Sequence, residues 1–219
     1  MAEDWLKRLR DRFANPPLPP TPMPATADTS QQAPDHPANI LLVNFIHRLH
    51  AVRNAAVLEL GTMRSQPDRS TIHRAWAAAD AHYVCSDFQD GLDVDVVADI
   101  HVLSQHFAAQ SLDAVIACSV FEHVQRPWIG AAEIAKTLKP GGQVFVQTHF
   151  AFPLHGYPSD YWRYTREALE TIFGADASLR IVASAYQYPV RLHAPELPPP
   201  DSIEAYLNVC VVAEKPLAA

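Results

Sequence analysis

The chain has 219 residues, 48% of them apolar and 19% charged, which is enough for one domain with a full hydrophobic core. A formal net charge of −7 and a pI near 5.8 argue against a nucleic-acid partner, since such partners are held mainly by Lys and Arg on phosphates. No apolar run approaches the ~18 residues of a membrane span, and the N-terminus is charged where a signal peptide would be apolar. A cytoplasmic protein without a membrane span is therefore expected, with Cys85, Cys118 and Cys210 as reduced core thiols too widely spaced for a metal knuckle.

Residues 3–13 place Trp5, Leu6, Leu9 and Phe13 at helical spacing, an amphipathic helix that packs on its own domain or docks a protein partner, a second copy of the chain or a membrane surface. Asn15 to Pro37 holds eight prolines and no aromatic residue and reads as an extended linker, so residues 1–37 form an N-terminal appendage and 38–219 the main domain. From Ala38 an apolar stripe through Leu41, Phe45, Leu49 and Val52 predicts a helix, followed by the strand AAVLEL, which runs into a turn at Gly61. A helix over about 71–79, capped by Asp68 or Ser70, is expected next. The strands HYVCSD, VDVVADI and LDAVIACS follow, the last two separated by a short helix or loop over 106–110. A helix over 128–138 ends at Lys139-Pro140-Gly141-Gly142, and QVFVQTH is the fifth strand. An irregular aromatic segment, a helix over 165–173 and two strands, LRIVASAYQY and AYLNVCVVAEK, complete the chain.

Strands alternating with helices over short connections predict an α/β, doubly wound, mostly parallel sheet of about seven strands. Helices should cover both faces, and the last two strands should form an antiparallel hairpin at one edge.

Glu59, Asp87 and Asp99 end three consecutive strands and would face one crevice, where an acid after the second strand suits a ribose diol. The turn after Gly61 reads Thr62-Met63-Arg64-Ser65, with neither G-x-G-x-x-G nor G-x-x-x-x-G-K, so it is built for neither a pyrophosphate nor a mononucleotide phosphate. A nucleoside ligand without phosphate fits better, and S-adenosylmethionine is the common one.

The succession VLELG, CSD, VVADI, LDAVIACSVFEHV and LKPGGQVFVQT, from about Asn39 to Pro216, resembles the class I S-adenosylmethionine-dependent methyltransferases of type 11. The resemblance implies a Rossmann-like fold, with Glu59, Gly61 and Thr62 near the methionine part of the cofactor and Asp87 on the ribose hydroxyls. Phe88 or Ile100 would sandwich adenine, Asp99 and the backbone at Ile100 and His101 would read its edge, and the backbone at Cys118 and Ser119 would take the amino group. His123 would stand where the acceptor enters; its alternative is a capping or buried, hydrogen-bonded histidine.

The segment from His155 to Tyr164 concentrates aromatic and ionisable groups on a loop over the crevice, so Tyr157, Asp160, Tyr161, Trp162 and Arg163 are candidate acceptor contacts. Its alternative is an internal clamp, with Asp160 and Arg163 paired and Trp162 as a lid. His123 or His155 is the candidate general base for O-methylation of a small-molecule hydroxyl, on a sugar or secondary metabolite. His149, His155 and Asp160 match no metal-ligand spacing, and no metal is expected. The rival reading is a non-catalytic methyltransferase-like scaffold, because only Glu59 and Gly61 remain of the usual glycine-rich turn.

Overall fold

A computed structural model of the chain describes residues 35–64, 66–192 and 204–217. The helix expected over 3–13 and the linker up to residue 34 lie outside the described residues. Among the described residues, no helix is long and apolar enough to cross a membrane.

The described domain opens on helix α1, Pro37–His50, where His36 caps the first turn by accepting from the Ala38 N–H at 3.2 Å and Pro37 stands at the first helical position. Ala38, Leu41, Phe45 and Leu49 recur at helical spacing and are buried. Strand β1, Ala56–Leu60, lies at the centre of the sheet, paired in parallel with β2, His82–Asp87, and with β4, Leu112–Cys118. The short β3, Val96–Val97, adds to β2, and β5, Leu138–His149, pairs with β4 in parallel. Strands β6, Arg180–Arg191, and β7, Glu204–Glu214, complete a seven-stranded sheet of order β3-β2-β1-β4-β5-β7-β6. β7 is antiparallel to both of its neighbours and lies between β5 and β6.

Side-chain alternation gives the sheet two buried faces. Val57, Ile116, Phe145 and Val212 face α1, where Phe45 and Trp76 meet the Phe145 ring at 5.4 and 5.3 Å. Leu58, Val115, Val146 and Val211 face the other layer, built from a 3₁₀ helix over Ile100–Gln105, helix α2, Pro127–Thr137, and helix α3, Arg166–Glu170, which runs on into a π turn over Thr171–Asp176. Helices thus cover both faces, as the alternation of elements predicts.

Several elements depart from the sequence-based expectation. Of the expected strand VDVVADI only Val96–Val97 pairs with β2, so Asp99 stands beyond the strand rather than ending it. The helix expected over 71–79 is only a 3₁₀ turn, Arg74–Trp76. Its polar groups are committed to distant parts of the fold: Ser70 Oγ donates to Asp93, the His73 N–H to Glu59 and the Arg74 guanidinium to the Ala81 carbonyl. Such bonds compete with the helical ladder over so short a segment. The helix after β3 begins at Ile100 rather than 106, because Asp99 caps it by accepting from the His101 N–H at 2.9 Å. Strand β5 begins at Leu138, five residues before Gln143, and absorbs the Pro-Gly-Gly turn through a register shift against β4.

Candidate active site

The carboxyl ends of β1, β2, β4 and β5 share one edge of the sheet, the edge at which open α/β sheets bind ligands. Gly61 turns the chain there with φ +74°, and a Cβ on it would stand 2.4 Å from Val120 Cγ2. Only glycine lets the β1 turn pack against the loop after β4. The turn is then tied to the β2–β3 connection. Thr62 Oγ1 donates to the Asp93 carbonyl at 2.7 Å, and Arg64 forks onto the Asp93 carboxylate at 2.8 and 2.7 Å. Arg64 and Ser70 hold that carboxyl below its ordinary range.

Asp87 ends β2 nearly buried, with Oδ2 accepting from the Met63 N–H and Oδ1 from the Gln89 N–H, each at 3.1 Å. One donor per oxygen leaves a lone pair on each for a diol. Phe88, next in the chain, is 65% exposed and free to stack. Asp99 accepts from the His101 ring at 2.7 Å, while His101 Nε2 faces the Arg126 N–H at 3.3 Å, so the ring proton sits on Nδ1. Burial opposes the charge on Asp99, but the His101 bonds prevail and lower its pKa. Ile100 turns inward against Gly130.

Glu59 is committed elsewhere. Its carboxylate is buried and accepts from the His73 N–H at 2.9 Å, the His73 ring at 2.6 Å and the Tyr83 hydroxyl at 2.6 Å. At the end of β4, burial raises the Cys118 thiol pKa. Ser119 adopts φ +55° and donates its N–H to the Gln147 carbonyl.

Beyond Ser119 a 3₁₀ turn, Phe121–His123, carries a fully buried carboxylate, Glu122. Its Oε2 accepts from Thr148 Oγ1 at 2.7 Å. Its Oε1 has no aligned hydrogen-bond donor, yet three imidazole nitrogens face it: Nε2 of His149 at 3.0 Å, of His155 at 3.9 Å and of His123 at 4.0 Å. Burial opposes the charge on Glu122, but His149 and Thr148 hold its pKa below the ordinary value. Burial likewise opposes charge on His149, and Glu122 nevertheless raises its pKa.

The segment from His155 to Tyr164 is strapped across this turn. Ser159 presents its carbonyl to His123 Nδ1 at 2.6 Å, and the N–H groups of Tyr161 and Trp162 donate to the Glu122 carbonyl. Trp162 Nε1 donates to the Val124 carbonyl at 3.0 Å and the Tyr164 hydroxyl to the Phe121 carbonyl at 2.8 Å. At Gly156, φ +61°, a Cβ would stand 2.8 Å from His123 Cε1, so glycine is what lets the strap lie on that ring. Arg163 spends all five N–H donors within the loop, two on Asp160 and one each on the carbonyls of Phe152, Pro153 and Trp162. The guanidinium, with the His155 N–H, holds the nearly buried Asp160 carboxyl far below its usual range.

Residues 66–146 match the family model of a methyltransferase domain. A ubiquinone biosynthesis O-methyltransferase of Aromatoleum aromaticum is 30% identical over 136 residues, which is 55% of this chain and 55% of that protein. The chain therefore spans about half the length of this curated relative. A 1,6-didemethyltoxoflavin-N1-methyltransferase of Burkholderia thailandensis, solved with S-adenosylhomocysteine, matches 99% of this chain and 91% of its own at 15% identity and a TM-score of 0.55. A methyltransferase from Archaeoglobus fulgidus matches 80% of this chain and 91% of its own at 12% identity and a TM-score of 0.56. The chain is thus similar to S-adenosylmethionine-dependent methyltransferases, in sequence over residues 66–146 and in fold.

Within this fold the sequence-predicted residues divide into groups. Gly61, Asp87, Phe88, Asp99 and His101 lie along the carboxyl edge, and His123 and His155 meet beside it with ring centroids 4.8 Å apart. Asp160 and Arg163 form the internal clamp, and Trp162 packs at 6.2 Å from Trp128 as a cover. Tyr157 and Tyr161 are the exposed members, at 95% and 45%. Sequence reasoning missed Glu122 and Thr148 and weighed His149 only as a metal ligand with His155 and Asp160. The signal for Glu122 was the acidic residue beside His123, and that for His149 was its place as the last residue of the fifth strand.

Proposed function

We propose that the chain methylates a hydroxyl of a small molecule, a sugar or secondary metabolite, using S-adenosylmethionine. The observation that carries this reading is the meeting of two half-exposed imidazoles, His123 and His155, at the sheet edge that also presents Asp87. The residues fit the cofactor: Asp87 has an unused lone pair on each oxygen, Phe88 offers an open ring face and Gly61 leaves the β1 turn without a side chain. The cofactor, when bound, supplies an activated methyl group whose sulfur keeps the bonding electron pair. The chain's own residues hold the adenosine, aim the acceptor oxygen and take its proton on an imidazole Nε2. Orientation of this kind contributes roughly 7–11 kcal/mol, and a positioned base about 10²–10⁴-fold in rate. The name of the Aromatoleum aromaticum relative supports an oxygen acceptor.

Asp87→Ala tests the cofactor half. Charge-assisted hydrogen bonds contribute about 1.5–3 kcal/mol each, so S-adenosylhomocysteine binding should weaken at least about tenfold by calorimetry in a protein that still melts cooperatively. Unchanged affinity would place the ribose elsewhere. The scaffold reading keeps one observation in its favour, the single-glycine turn pinned by Arg64 to Asp93. It wins if neither S-adenosylmethionine nor S-adenosylhomocysteine raises the melting temperature.

A further inference from the structure

The Glu122 carboxylate presents a problem that the methyl-transfer reading does not solve. Oε1 is fully buried, lacks an aligned donor and is faced by three imidazole nitrogens rather than by N–H groups committed to it. Each of those rings is oriented from its far side by an oxygen. His123 Nδ1 lies 2.6 Å from the Ser159 carbonyl, His149 Nδ1 2.9 Å from Asn208 Oδ1 and His155 Nδ1 3.1 Å from the Pro153 carbonyl. For His123 and His155 an oxygen of this kind takes the Nδ1 proton, which leaves the Nε2 lone pair of the neutral ring pointing at the common centre. Oxygen-anchored imidazoles with their other nitrogens converging are the arrangement by which proteins orient metal-binding histidines.

The separations agree. One ligand atom from each of Glu122, His123 and His155 lies within 4.8 Å of the others, and the three Nε2 atoms stand 3.0–4.0 Å from Oε1. Two donors at about 2.0–2.2 Å from one ion are roughly 3.3 Å apart in a tetrahedral site and at most about 4.2 Å apart when opposed. The two separations from Oε1 to Nε2 of His155 and His123, 3.9 and 4.0 Å, meet that range as they stand. The widest closes by rotation of His123 and His155, whose side chains are 29% and 32% exposed.

We infer that Glu122, His123 and His155 bind one divalent transition-metal ion. Two imidazoles and one carboxylate form a borderline nitrogen and oxygen set suited to zinc or cobalt rather than to magnesium or calcium, which take oxygen ligands. Glu122 offers the only charge inside the set, and the ion would supply the missing partner for its buried oxygen. An open position on the ion is suited to an acceptor oxygen, whose hydroxyl would lose its proton more readily on binding. That last role rests on the methyltransferase reading and replaces direct proton abstraction by His123 or His155 in the loaded protein; the ion site itself does not rest on it.

The test is direct binding to the untagged full-length chain, stripped with a chelator and returned to chelator-free buffer. Co²⁺ is titrated with the visible d–d absorption as readout, and Zn²⁺ by equilibrium dialysis. One ion per chain is expected, with affinity at least about tenfold weaker in His155→Ala and in His123→Ala, since even the groups that orient a metal-bound histidine are worth that much. Glu122→Gln should do the same; if its burial makes that variant unstable, the two half-exposed histidine positions decide. Absence of saturable one-per-chain binding overturns the inference, and so does undiminished affinity in both histidine variants. The thermal shift with S-adenosylhomocysteine, measured on the same samples, separates the two readings: ion binding without a shift overturns the cofactor proposal alone, and a shift without ion binding overturns only the metal site.

Discussion

Replacing Arg163 by Ala probes how much the strap over the active-site turn depends on its clamp. The substitution removes all five N–H donors of the guanidinium at once and leaves the Asp160 carboxylate, 4% exposed, with the His155 N–H as its remaining backbone donor. Stranding one member of a buried ion pair costs about 3–5 kcal/mol. Arg163 is itself 25% exposed, so water can reach part of the vacated space, and the lower end, ~3 kcal/mol, is the expected loss. For a domain of this size each kcal/mol moves the melting temperature by about 2–4 °C, giving a fall of about 6–12 °C by calorimetry. Adding Asp160→Asn to Arg163→Ala should recover part of that loss, because the stranded charge disappears while an acceptor for the His155 N–H remains. Tyr157→Phe, at an almost fully exposed position, should leave the melting temperature unchanged and act only on methyl transfer. A shift below ~2 °C for Arg163→Ala, or no recovery in the double variant, would refute the clamp and return Arg163 to the list of acceptor contacts.

Two further outcomes follow from groups away from the two facing histidines. Glu214 accepts from Arg48, Arg180 and Gln143; burial opposes its charge, but these partners lower its pKa below the usual 4.5. Its stabilisation is therefore present above about pH 4.5 and lost as the pH falls through the lower folded-state value, so Glu214→Gln should reduce the melting temperature at pH 7 and approach the parent chain in acid. A constant gap between the two across that range would contradict the assignment. Burial pushes the thiols of Cys85 and Cys210 up to about 11 and about 12, and that of Cys118 higher still. Thiol labelling of the native protein at pH 7.5 should accordingly be slow for all three, and one rapidly reacting thiol would disprove it.

Where the sequence carried a strong period, the structure could be read from it. The apolar stripe through Leu41, Phe45 and Leu49, the helix before Pro140 and the strands around Leu58 and Val115 all express burial on a fixed repeat. The segment after Gly61 was not legible, because its conformation is decided by Glu59 and Asp93, residues remote in sequence that take up its donors. The same reason hid Glu122. An acid beside a histidine in a short loop looks like a solvated turn until the fifth strand brings Thr148 and His149 against it. Asp160 and Arg163, three positions apart, allowed both a clamp and a binding site, and only the carbonyls of Phe152, Pro153 and Trp162 show where the other donors go.

The insertion of β7 between β5 and β6 sets an order on how the molecule comes into being. Asn208, which orients His149, belongs to that strand, and β5 has no partner on that side until β7 arrives. During synthesis the first five strands can align while the edge of β5 remains open and apolar, a template for wrong pairing. A nascent chain stalled before residue 204 would hold Glu122, His123 and His155 but would lack Asn208, the group that orients His149.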